Sequence, residues 1–101
     1  MTIAVKLTMS FLVHDCVDLD AHTDTVMEEL IALESESVTD SDLAATLSTG
    51  EVTISVVARA DNFETAAAIA DSTIRTAIHA SHGSTREWQT VASESRPLVS
   101  A

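Results

Sequence analysis

The sequence predicts an α+β domain, a ferredoxin-like βαββαβ sandwich in which a four-stranded antiparallel sheet carries two helices on one face. Three observations lead there. Residues 3–13 alternate with period two, helical spacing then sets in twice, from Leu19 and from Phe63, and two further alternating runs meet at a turn containing Gly50.

The first strand has the clearest pattern. Ile3, Val5, Leu7, Met9, Phe11 and Val13 fall on one side, and Ala4, Lys6, Thr8, Ser10 and Leu12 on the other, as in a strand with one face buried. From Leu19 the period changes. Thr23, Val26, Leu30 and Leu33 recur at helical spacing with Met27 on the flank, predicting a helix over residues 19–34. Asp18 or Asp20 can cap it, and Asp24 adds charge that suits the helix N-terminus.

Residues 35–42 are polar and read as a loop. Leu43, Ala45 and Leu47 then alternate with Ala44, Thr46 and Ser48. After the turn at residues 48–51, Val52, Ile54, Val56, Ala58 and Ala60 alternate with Thr53, Ser55, Val57 and Arg59, which predicts a hairpin. Asp61 and Glu64 have the spacing of a capping box, with Asp61 as the cap. Phe63, Ala66, Ala67, Ala70, Ile74, Ala77 and Ile78 then gather within about 60° on a helical wheel, and Gly83 suits the stop. Trp88, Thr90 and Ala92 suggest a last strand. Pro97 cannot donate to a ladder, so residues 1–94 are expected to form the domain and 95–101 a tail.

In this topology the sheet order is 4-1-3-2, with strand one central, short edge strands, and a core of Leu7, Phe11, Ile54, Val56, Phe63 and Ile74. The uncovered sheet face then carries Lys6, Thr8, Ser10 and Leu12 beside Thr53, Ser55, Val57 and Arg59. An RNA-binding sheet of this class would place aromatic and basic residues there to stack and pair with bases. Here the face offers hydroxyls and a few aliphatics, a surface suited to pairing with a second copy.

Composition bounds the function. The chain has 101 residues, one domain's worth, and its 46% apolar content argues for a folded core. Sixteen acidic against five basic side chains give a formal charge of −11. Lys6, Arg59, Arg75, Arg86 and Arg96 are scattered along the chain, so nucleic acid and anionic membranes are expected to be repelled. Cys16 is the single cysteine, which excludes an intrachain disulfide and fits a cytoplasmic location. No signal peptide or membrane-spanning run is expected.

Motifs are sparse. Two glycines at predicted turns exclude a P-loop, a dinucleotide fingerprint and a nucleophile elbow. The topology brings His14, Cys16, Asp18, His22, His79 and His82 to one end of the domain, where imidazole, thiolate and carboxylate together would suit zinc. Their spacing matches no metal motif, and the acids at a helix start and histidines at a helix end also satisfy the helix dipoles. No metal and no cofactor is expected. The predicted function is a non-enzymatic protein-interaction or regulatory module, acidic and homo-oligomeric, whose partner is itself or another protein. Two alternatives stay open. One is a small-ligand or metal-binding domain using the histidine-rich end, through His14, Cys16, Asp18, His22 and His82. The other is a small enzyme with a site assembled across a dimer.

Overall fold

The structure, a computed structural model, describes residues 2–13, 19–46, 48–80 and 88–98. Its elements run β1 (Ile3–Val13), α1 (Leu19–Ala32), β2 (Val38–Thr46), β3 (Glu51–Ala60), α2 (Phe63–Ala80) and β4 (Trp88–Leu98). One antiparallel sheet has the order β2-β3-β1-β4, the order that the element sequence predicts.

The strict alternation of β1 becomes a two-faced strand. Val5, Leu7, Met9, Phe11 and Val13 are buried, and the first four each face an even-numbered residue of β3: Val5 pairs with Ala58, Leu7 with Val56, Met9 with Ile54 and Phe11 with Val52. The helices seal this side. α2 packs on β3 and β1 through Ala66, Ala70, Ile74, Ala77 and Ile78, its alanines letting the helix lie close to the sheet. α1 packs on α2 and β2 and buries Leu19, Thr23, Val26 and Leu30. At one end of the core the rings of Phe11 and Trp88 meet edge to face at 5.7 Å, the arrangement favoured by aromatic quadrupoles.

Several expectations need correction. β2 starts at Val38, inside the stretch expected to be loop. Its alternation is hidden by a bulge: Thr39 pairs with Val57 and Asp42 with Ser55, so Asp40 and Ser41 together oppose Val56. Asp40 has φ 53°, a left-handed conformation that aspartate tolerates better than most residues. The Ser41 N–H donates to Glu34 Oε1 at 3.1 Å, tying the bulge to the end of α1.

At the other edge, β4 continues through Leu98 instead of ending before a tail. Ser95, Arg96, Pro97 and Leu98 pair with Leu7, Lys6, Val5 and Ala4. Pro97 is accommodated because β4 is an edge strand, where a ladder donor can be missing. The register shifts at Val91, since Ser10 faces Ala92 while Phe11 faces Thr90. This bulge exchanges the two faces of β4. Ala92 therefore joins the open face, and Trp88, opposite Val13, enters the core at 3% exposure. With 9 and 11 residues, the edge strands are long, against the expectation of short ones.

Two helix details also differ. The Thr65 N–H donates to Asn62 Oδ1 at 2.8 Å, so Asn62 and not Asp61 is the N-cap of α2. Phe63, expected in the core, is 38% exposed because it occupies the first position of α2, above the sheet's end.

Candidate functional site

The register gathers Lys6, Thr8, Ser10, Leu12, Thr53, Ser55, Val57 and Arg59 on the sheet face opposite the helices, as their parity predicts. Across the sheet they form rows. Thr39, Val57, Lys6 and Arg96 make one; Asp42, Ser55, Thr8 and Glu94 the next; Ala44, Thr53, Ser10 and Ala92 the third. Short hydroxyl and aliphatic side chains fill the middle. Ser55 and Val57 are buried at 9% and 4% exposure within a single chain, and Thr8, Ser10, Leu12 and Thr53 are half-buried. Ser10 Oγ and Thr53 Oγ1 lie 3.5 Å apart across β1 and β3.

The charges on this face are not spread evenly. Lys6 and Arg96 are direct Cα partners, and Arg59 lies two residues along β3 from Val57, the β3 partner of Lys6. Three of the five cations scattered through the sequence therefore converge on one end of the open face. That corrects the expectation of no cationic cluster. Arg59 is held in place by its Nη1, which donates to Thr39 Oγ1 at 2.7 Å, while its backbone N–H donates to Ser37 O. Among the described residues the one ion pair is Arg75 with Asp71 on α2, so none of the three is neutralised there. Of the acids of this face, Asp42 and Glu94 stand in the adjacent row and Glu51 at the far end, opposite Leu12.

Both edges of the sheet are protected in other ways. β2 carries a bulge and Asp42, and β4 carries a bulge, Glu94, Arg96 and Pro97, all devices that discourage strand addition. The protection comes from these bulges and side chains and not from short strands.

At the histidine-rich end, His14, Cys16, Asp18 and His82 lie outside the described residues. His22 is half-buried, with its ring edge to face with Trp88 at 5.4 Å. Among the described residues no group of three or more His, Cys, Asp or Glu side chains is placed to hold a metal. A small cleft at this end, with about 10 Å³ of free space, is lined by Phe11, Arg75, Ile78, His79 and Trp88. The buried Trp88 Nε1 has no hydrogen-bond partner among the described residues. The sequence signal for this cleft was weak: helical spacing put Ile78 in the core, but the bulge that turns Trp88 inward left no trace in the pattern.

No protein-family model matches the chain, and no curated protein matches it. Among solved structures it is similar to Rv0793 from Mycobacterium tuberculosis, 17% identical, covering 97% of this chain and 95% of that one at a TM-score of 0.50. It is also similar to the de novo designed protein Foldit4, 18% identical over 100% of each chain at a TM-score of 0.47. At such identity the likeness to Rv0793 shows the fold alone, in agreement with the topology. No helix among the described residues is long and apolar enough to cross a membrane.

Proposed function

We propose that this protein is a non-enzymatic interaction or regulatory module that works as a homo-oligomer, using the open face of its sheet. The observation that carries the reading is the face itself. Its centre is built of Thr8, Ser10, Thr53, Ser55 and Val57 and is already largely dehydrated within one chain. Covering it removes little hydration from charged groups, and hydroxyls find partners in another such surface more readily than lysine-rich faces do. A stable contact needs about 800 Å² from each partner, which one face of a four-stranded sheet can supply. The helix side is a poorer candidate, since Asp20, Asp24 and Glu28 are exposed along α1 and would repel a second copy. Light scattering of the untagged protein at high micromolar concentration tests this: the expected mass is a multiple of 10.7 kDa. A monomer at that concentration removes the reading.

A second reading is favoured by the cleft beside Trp88. The indole N–H, buried and without a partner among the described residues, lies beside Arg75 and His79, which suits a small anion bearing a carboxylate, in a cleft with about 10 Å³ of free space, room for little more than a water-sized group. Trp88 is the single tryptophan, so its fluorescence reports this cleft directly. A saturable change with acetate or formate, absent in Arg75→Ala, supports the reading. No change with either counts against it.

A further inference from the structure

We infer that the cationic end of the open face is a binding site for a small multivalent oxyanion, inorganic phosphate or the phosphate group of a small molecule. Such a site needs no second copy of the chain, so it stands apart from self-association. The strand register builds it. Lys6 and Arg96 are Cα partners across β1 and β4, about 5 Å apart, and Arg59 on β3 is the diagonal neighbour of Lys6, at roughly 7–8 Å. Val57 shows where the long side chains go, since it is 4% exposed on the face that the helices leave open. Its neighbours on this face are Thr39, Lys6, Ser55 and Arg59, and only Lys6 and Arg59 have stems long enough to lie across it. The bond from Arg59 Nη1 to Thr39 Oγ1, 2.7 Å, fixes one of these stems beside Val57. Burying one valine thus draws the charged heads of Lys6 and Arg59 toward each other, with Arg96 alongside.

These heads have no anion of their own. Arg59 uses one N–H on the neutral Thr39 hydroxyl, and among the described residues neither Lys6 nor Arg96 forms an ion pair. Glu94 and Asp42 occupy the next row, opposite Thr8 and Ser55, and offset part of the charge from about 7 Å along the strands without closing an ion pair. Three cations against two carboxylates leave this end net positive, on a chain whose formal charge is −11. That contrast limits the size of the ligand. Charges beyond about 8 Å are largely screened at physiological ionic strength, so a small ion responds to the nearby cations. A nucleic acid or an anionic membrane would instead span the acids of the wider surface. Valence is selected as well. Guanidinium groups hold phosphate oxygens in a fork and lysine adds a point charge, an arrangement that a dianion uses and a halide does not.

Isothermal titration calorimetry with inorganic phosphate at constant ionic strength tests the site. Saturable binding is expected in the wild type, weakened about tenfold by Lys6→Ala and by Arg59→Ala, each of which removes a charge-assisted contact. Lys6 is exposed and Arg59 half-buried, so both variants keep the core beneath the helices intact, and Lys6→Ala also relieves the like-charged pair with Arg96. Glu94→Gln and Glu28→Gln make the same change in net charge at different places. Glu94→Gln, one row from Lys6, is expected to tighten binding about twofold or more, and Glu28→Gln, on the exposed side of α1, to leave it unchanged. Methyl phosphate, titrated alongside, separates the two sources of the anion. Tighter binding than inorganic phosphate points to a phosphate group carried on a small molecule, weaker binding points to the free ion, and both keep the site. No saturable heat with either probe, undiminished affinity in Lys6→Ala and Arg59→Ala, or equal responses to the two glutamate substitutions would overturn it, whatever the oligomeric state.

Discussion

Lys6 on β1 and Arg96 on β4 face each other as direct cross-strand partners on the open face of the sheet, in a chain with sixteen acidic and five basic residues. Such a pair works against the stability of the single chain. Its consequence is an uneven face, cationic at one end, on a protein whose helix side is acidic. The remaining account of the fold makes expectations that are independent of this face.

Phe11 is 1% exposed and packs edge to face on Trp88. Phe11→Ala is expected to cost about 3–5 kcal/mol in urea unfolding, a large part of a total near 5–15 kcal/mol. Phe63→Ala, at 38% exposure, is expected to cost under about 1.5 kcal/mol. Equal losses would mean that Phe63 is as buried as the sequence pattern suggests.

Gly50 closes the β2–β3 turn with φ 78°, and its carbonyl accepts from the Val13 N–H at 2.8 Å. A Cβ at this position would stand 2.6 Å from Val13 O, a backbone atom that cannot swing away. Gly50→Ala therefore combines left-handed strain with a clash and is expected to destabilise by at least about 1–3 kcal/mol. A neutral result in thermal unfolding would show that the turn relaxes without disturbing the end of β1.

Asn62→Ala removes the acceptor for the Thr65 N–H and should cost about 1 kcal/mol. Asp61→Ala should cost less, since no described hydrogen bond uses its side chain in the cap. The reverse order, measured by chemical denaturation, would return the cap to Asp61.

Much of this fold is legible in the sequence where one face is buried and the other is not. β1 and β3 lie centrally under α2, so every second residue must be apolar, and Val5 to Val13 and Val52 to Ala58 state the register outright. Legibility fails at the edges. β2 hides its period behind the Asp40–Ser41 bulge. β4 is exposed on both sides from Gln89 to Glu94, so packing imposes no alternation there. The open face was predictable residue by residue from parity, but its cationic end was not. Positions 6, 59 and 96 come together through two strand pairings, and the second depends on a β4 that polar composition had disguised.

The acidic surface predicts a response to salt. Glu28 on α1 and Glu34 beyond it stand exposed, with no described ion pair, and their repulsion is screened as ionic strength rises. The melting temperature should climb by several degrees between low and moderate salt, and Glu28→Gln should reduce the climb. A flat profile in the wild type would indicate that these charges are too far apart to interact.

The central claim is that the open face is the association surface. Sedimentation equilibrium of wild type, Ser10→Arg and Ser93→Arg tests it most directly, because Ser10 sits at the middle of that face while Ser93, opposite Met9, lies on the helix side of an exposed edge strand. The account predicts a dimer of twice 10.7 kDa for wild type and Ser93→Arg, and a folded 10.7 kDa monomer for Ser10→Arg. A dimer that survives Ser10→Arg, or a wild type that remains monomeric throughout, would contradict it.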